Sequence, residues 1–325
     1  MREITFSEAT REAMAEEMTR DKSVFVMGED IARQGGVFGQ FKELSAQFGT
    51  DRIRDTPISE TAIVGAAVGA ALAGARPVAD MHFADFMSVA MDEVFNQMAK
   101  IRYMFGGQAT VPMVIRAPDG LIRSAAAQHS QSVEAWFNNI PGLIVVAPSN
   151  PADAKGLLKA AIRSDDPVIY FENKALFSKS GHVPEEEDFI VPIGKAKVVK
   201  EGKDVTIVSY SIMMGLALEA AEILEKEGFS VEVIDLRTLS PFDKTTVKES
   251  VKKTHRLLIA HEAVKVGGLG AEVAAVIAEE ALDYLDAPIV RVGAKFTPVP
   301  FSPILEIEYR PKVSDIIDGV KGMFV

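Results

Sequence analysis

Short β-branched or aliphatic runs, bounded by turn residues, alternate along this chain with longer stretches whose apolar residues recur at helical spacing. SVFVMGED, PVADMHF, VPMVIRAP, GLIVVAPSNP and DPVIYFE carry the strand pattern. Between them, helical patterns start at about Glu60, run from about Phe86 to Phe105, and fill PADAKGLLKAAI, where Pro151 sits near a helix start with Asn150 as its cap. Such alternation predicts parallel strands joined by crossover helices. From Ser178 to Gly194 the pattern breaks into SKSGHVPEEEDFIVPIG, whose prolines, glycines and acidic run have linker composition. It then resumes with DVTIVSYS, the helix LALEAAEILEKEG stopped by Gly228, the strand VEVIDL, a helix near Asp243 to Lys253, the strand RLLIAHE, a helix from about Gly270 and the strand PIVRVG. The expected organisation is an α/β domain over residues 1–180, a linker over 181–194 and a second α/β domain over 195–325.

TPISETAIVGAAVGAALAGA breaks the amphipathic rule. Gly65, Ala66, Gly69, Ala70 and Ala73 fall within a helix whose every face is small or apolar, so no side of it is suited to water. It is expected to be buried all round, either as a core helix or against another subunit.

Composition narrows the function. A chain of 325 residues with 48% hydrophobic content can bury a large core, and its net charge of −11 repels phosphate backbones and anionic lipid surfaces, so no nucleic-acid partner is expected. Cysteine is absent, which excludes disulfides, thiolate catalysis and cysteine-ligated clusters, and fits a cytoplasmic setting. The opening MREITFSEATREAMAEEM lacks the apolar core and cleavage site of a signal peptide. The longest apolar stretch, Ala62 to Ala75, stops at Arg76, short of the roughly 20 residues a membrane span needs. No membrane segment is expected.

Two residues stand out for chemistry. Glu60 lies where a strand ends and the small-residue helix begins. A first-turn carboxylate is a routine partner of the helix N-terminal partial charge, yet the carboxyl ends of parallel strands are also where α/β folds place ligands. His129, in RSAAAQHSQS, is either a plain surface histidine or a general acid/base, because His82, His182, His255 and His261 form no metal-binding spacing with it. VGGLGAEVA imitates a dinucleotide fingerprint but has Val273 where a third Gly or Ala is needed, so it is read as a glycine-rich lead into a helix. Walker A and GxSxG patterns are absent.

DTPISE with its small-residue helix, HFADF, IRYMFGG, AAAQHSQS, PGLIVVAPSNPADAKGLL, DPVIYFENK and VIDLRTLSPFD stand in that order. Over essentially the whole chain they resemble the beta subunits of the thiamine-diphosphate-dependent decarboxylating components of 2-oxo acid dehydrogenase complexes. RYMFGG, AAAQHSQS, APSNPADAKGLL and TPVPFSPILE look most like acetoin dehydrogenase beta chains, with pyruvate dehydrogenase beta chains next. The resemblance implies a transketolase-like pyrimidine-binding domain, a parallel sheet with helices on both faces, followed by a transketolase C-terminal-like α/β domain. It implies an α2β2 heterotetramer in which thiamine diphosphate is shared with the alpha subunit, and docking of the C-terminal domain on a lipoyl acyltransferase core. Glu60 then matches the glutamate that hydrogen-bonds the aminopyrimidine and favours the tautomer able to take the thiazolium proton. Phe86 matches the aromatic stacked on that ring, Ile58 and His82 match pocket positions, and His129 matches a histidine proposed to serve proton transfer and acyl transfer to lipoamide. The implied reaction cleaves a carbon–carbon bond of acetoin and hands the two-carbon unit to lipoamide; the alternative is oxidative decarboxylation of pyruvate or a branched-chain 2-oxo acid. The resemblance implies that magnesium and diphosphate are held by the alpha chain through a Gly-Asp-Gly motif, which does not occur here. Two departures accompany the match. His82 stands where many relatives carry Gln, and Ser164 stands where many carry Asp, leaving room for potassium near Ser164 and Asp166.

Overall fold

The structure, a computed structural model, describes residues 1–186 and 188–325. It divides into two compact units, one of Met1–Asp119 with Trp136–Ile193 and one of Gly120–Ala135 with Gly194–Val325.

In the first unit the apolar runs become a parallel sheet in the order Ile144–Val146, Val168–Asn173, Val114–Asp119, Arg76–Asp80, Val24–Gly28 and Ile53–Asp55. Alternate residues on one face, among them Val24, Val26, Val78, Val114, Val168 and Tyr170, pack with Ala13, Met14 and Met18 of the helix Phe6–Arg20 and with Leu157, Leu158 and Ile162 of the helix Pro151–Arg163. Local chemistry fixes where those helices begin. Thr5 and Glu8 form a reciprocal capping box on the first, while Asn150 accepts from the Asp153 amide at 3.0 Å and Pro151 opens the second. The stretch of linker composition is partly regular, since Ser180–Val183 pairs antiparallel with Arg2–Thr5. Residue 187 of the expected linker lies outside the described residues.

Two further expectations are corrected. The helix expected from Phe86 to Phe105 is broken into a 3-10 segment Ala84–Ala90, a π-helical segment Glu93–Met98 and a short α turn Ile101–Met104. Buried Ala90, Val94 and Met98 recur every four residues, a spacing wider than the α repeat and suited to a locally widened turn. The small-residue helix Glu60–Leu72 is not buried all round within the chain: Ile63, Val64, Ala67, Val68 and Ala71 are covered, whereas Ala62, Ala66, Gly69 and Leu72 face outward.

In the second unit, Val290–Ala294, Leu257–Val264, Val205–Ser209 and Val231–Asp235 form a parallel sheet bordered by the antiparallel strand Lys197–Lys200. Val205, Ile207, Val231, Val233, Leu258 and Ala260 bury against the helices Met213–Lys226 and Val313–Lys321. The glycine-rich run leads into the helix Leu269–Ala281.

Candidate active site

Three parallel strands of the first unit end side by side, and the residues that follow them gather at one place. Gly28 lies opposite Asp80 in register, and a Cβ at Gly28 would stand 2.9 Å from the Asp80 Cβ, so only glycine lets these strands close up. Glu29 follows Gly28, and His82 follows Asp80 by two positions, which sets the His82 Nδ1 3.7 Å from a Glu29 carboxylate oxygen. The Thr56 amide donates to the Gly28 carbonyl at 2.9 Å, steering the chain from the third strand into Ile58 and Glu60. Glu60 heads its helix with its side chain half-buried, and the Thr61 hydroxyl donates at 2.9 Å to the Val89 carbonyl, tying that helix to the turn that carries Phe86. Phe86 meets Phe83 edge to face, with ring centres 6.0 Å apart.

The electrostatics of this group are strained. Burial pushes the Glu29 carboxyl above its ordinary range; His82 works against that shift and the like charge of Glu60 adds to it. The His82 Nδ1 is buried without a hydrogen-bond partner, and Ile58 leaves 82% of its surface open. Glu29, Glu60 and His82 are thus close enough to feel one another's charge. In the same sheet, Arg116 makes two 2.7 Å bonds to Glu172, both side chains being 0% exposed. Asp80, opposite Arg116 in register, is pushed up to about 7, chiefly by burial.

Comparisons with known proteins bear on this grouping. Residues 2–179 match the transketolase pyrimidine-binding domain and residues 194–316 the transketolase C-terminal domain. The chain is 48% identical over 319 residues to the "Pyruvate dehydrogenase E1 component subunit beta" of Rickettsia felis, covering 98% of each. It is 50% identical to the "Acetoin:2,6-dichlorophenolindophenol oxidoreductase subunit beta" of Cupriavidus necator, covering 97% of this chain and 96% of the relative. The "2-oxoisovalerate dehydrogenase subunit beta" of Bacillus subtilis is 48% identical, with 93% of each chain covered. The chain belongs to this family of thiamine-diphosphate-dependent dehydrogenase beta subunits. Among solved structures, "Split gene transketolase, inactive beta4 tetramer" superposes with a TM-score of 0.80 at 28% identity, covering 98% of both chains. The expected transketolase-like two-domain fold is therefore borne out. The expected preference for acetoin is not singled out, because relatives named for pyruvate, acetoin and 2-oxoisovalerate stand at 48%, 50% and 48% identity.

For a family member the remaining residues divide as follows. Ile58, Glu60, His82 and Phe86 all lie in the first unit, and His129 lies in the second, on the segment Gly120–Ala135. Ser164 and Asp166 also belong to the first unit: the carbonyls of Ile162 and Ser164 accept from the Arg76 guanidinium at 3.0 and 2.9 Å, and Asp166 pairs with Arg102. Among the described residues no group of three or more His, Cys, Asp or Glu is arranged to hold a metal, and no helix is long and apolar enough to cross a membrane.

Sequence reasoning missed Glu29, although its place at the end of SVFVMGED, just past a strand, is the signal that singled out Glu60. It also missed the reason for the glycines of VGGLGAEVA. A Cβ at Gly268 or Gly270 would stand 2.6 or 2.9 Å from the His261 imidazole, which is buried, stacked on Tyr210 and pushed down to about 4 by burial. The glycines admit a close-packed histidine.

Proposed function

We propose that this chain is the beta subunit of a component that cleaves acetoin and transfers the two-carbon unit to a lipoyl group, working with an alpha subunit in an α2β2 assembly. The observation that carries this reading is the closeness of Glu29, Glu60 and His82 at adjacent strand ends of the first unit, with the Glu60 helix tied to the turn that carries Phe86. Relatives named for pyruvate keep oxidative decarboxylation of a 2-oxo acid as the second reading.

These residue types suit an aminopyrimidine. Glu60 would hydrogen-bond its ring nitrogen, Phe86 would stack on it, and Ile58 and His82 would wall it. When bound, thiamine diphosphate supplies a carbon nucleophile able to add to a carbonyl. Glu60 would hold the ring in the tautomer that accepts a proton at its exocyclic nitrogen. Glu29, raised by burial and by the like charge of Glu60, holds its proton more readily than a free carboxyl. His129 would move protons at the substrate oxygen and assist acyl transfer. Magnesium and diphosphate are assigned to the alpha subunit, and the C-terminal domain to docking on the lipoyl acyltransferase core. Potassium enters no step.

The test is reduction of an artificial electron acceptor by the chain co-purified with its alpha partner, with acetoin, pyruvate and branched 2-oxo acids compared side by side. Preferential turnover of acetoin supports the assignment, and preference for a 2-oxo acid moves it to the second reading. No thiamine-dependent turnover of any of them would sink both.

A further inference from the structure

The segment that carries His129 is held in a costly conformation by residues remote in sequence. Ser124 and Ala126 have φ of 60° and 59°, the left-handed region, without being glycine. Each such residue costs on the order of 1 kcal/mol or more, so the segment keeps this shape only where its surroundings impose it. The surroundings are two carboxylates of the same compact unit. Glu306, 8% exposed on the helix Pro303–Tyr309, accepts from the Ser124 amide at 2.9 Å, at the first strained residue. Glu262, on the strand Leu257–Val264, accepts with one oxygen from the Leu121 amide at 3.4 Å and from the Ser132 hydroxyl at 3.2 Å, drawing together both ends of the loop. Gly120 N–H donates across the same neck to the Gln131 carbonyl at 3.0 Å, and Leu121 packs on the cluster of Ala294, Val299 and Tyr309. The bonds to carboxylates are charge-assisted, and the one at Ser124 is partly buried.

We propose that Glu306 and Glu262 are positioning residues for the reaction: they hold the strained loop so that the His129 imidazole is presented in one place, and they transfer no proton themselves. The inference rests on the role assigned to His129 above. It makes the second unit the holder of a group whose neighbours in sequence, through Asp119 and from Trp136, belong to the first.

The experiment compares Glu306→Leu, Glu306→Gln, Ser132→Ala and His129→Ala in the full chain assembled with its alpha partner. The readouts are kcat and KM with the artificial acceptor, and amide hydrogen exchange across residues 121–132. Glu306→Leu is expected to speed exchange in that segment by about tenfold and to lower kcat by a similar factor with KM nearly unchanged. Glu306→Gln keeps an accepting oxygen and is expected to stay within about threefold of wild type on both readouts. Ser132→Ala, which alters no buried carboxylate, is expected to give the same signature at smaller amplitude. His129→Ala should lower kcat while the segment stays protected. The proposal is overturned if Glu306→Leu leaves exchange unchanged, if the segment loosens while kcat holds, or if Glu306→Gln is as impaired as Glu306→Leu. Should Glu306→Leu fail to fold, unchanged exchange in Ser132→Ala overturns it. Full activity in His129→Ala would instead remove the underlying assignment, with the hold on the loop still visible in the exchange data.

Discussion

Deleting Glu172 while keeping Arg116 strands a guanidinium in the core of the first unit. Both side chains are 0% exposed, two 2.7 Å bonds join them, and the guanidinium lies 4.7 Å from the centre of the Phe41 ring. Removing one partner of such a pair costs about 3–5 kcal/mol, whereas replacing both by apolar groups is often close to neutral. Asp80 gives the cost a pH dependence. Burial is the main force holding Asp80 up to about 7 against an ordinary 3.8, with Arg116 pulling it down and Glu172 pushing it up. A carboxyl raised in the folded state contributes stability that is present below pH 3.8 and is lost as pH rises through about 7, a swing of about 4 kcal/mol for this shift. In Glu172→Met the push is gone and Asp80 becomes the remaining counter-charge, so its proton leaves at lower pH and the swing shrinks.

Relative to wild type, Glu172→Met should therefore cost about 3–5 kcal/mol at pH 5 and on the order of 1–2 kcal/mol less at pH 8. In a unit of this size that corresponds to a fall in Tm of about 6–20 °C at the lower pH. The assay is urea and thermal unfolding of the full chain followed by circular dichroism at both pH values, with Arg116→Met and the double variant alongside. The double variant should be more stable than either single one. A cost below about 1 kcal/mol for Glu172→Met at both pH values, or a double variant as unstable as the two singles added, would refute the reasoning.

If Glu60 has the role proposed for it, Glu60→Gln in the assembled enzyme should lower kcat with the artificial acceptor by about 100-fold or more and leave Tm nearly unchanged, its side chain being half-buried; steady-state kinetics beside calorimetry checks it. Glu134 is raised above its ordinary range, mainly by burial and then by the charge of Glu262, against the pull of the 2.6 Å bond from the Tyr210 hydroxyl. Its stabilising contribution is present below pH 4.5 and lost as pH rises through the raised value, so Glu134→Gln, which still accepts from Tyr210, should gain Tm over wild type as pH rises above 4.5. A thermal scan at several pH values reads the slope. Gly69 faces outward on the small-residue helix, and a Cβ there meets nothing within 4 Å. Gly69→Leu should keep or raise the Tm of the chain alone, by helix propensity of about 1 kcal/mol, and yet abolish association with the partner subunit on size-exclusion chromatography.

What the sequence disclosed and what it hid separate along one physical line. Strands and helices were legible where a local pattern decides them: SVFVMGED and VPMVIRAP are apolar runs bounded by turns, and Asn150 with Pro151 marks a helix start by its own chemistry. Glu60 was legible for the same reason, as an acid heading a helix just after a strand. Features set by distant partners were not. Ser180–Val183 lies in a stretch of linker composition, and only its pairing with Arg2–Thr5 makes it a strand. Glu29 reads as one more charged residue after a strand until the parallel register brings Glu60 and His82 beside it.

The segment 120–135 is the sharpest case. Its sequence falls inside the first match, at residues 2–179, and its small residues show no period, yet its backbone answers to Glu262 and Glu306 from the second unit. Left-handed φ at Ser124 and Ala126 carries no mark in the sequence, because neither is the glycine that would announce it. A strained loop of non-glycine residues is costly unless something holds it, and what holds this one lies far along the chain. The part of the site closest to the chemistry assigned to His129 is thus the part least visible to local pattern, since its conformation is chosen by tertiary contacts over the preference of its own residues.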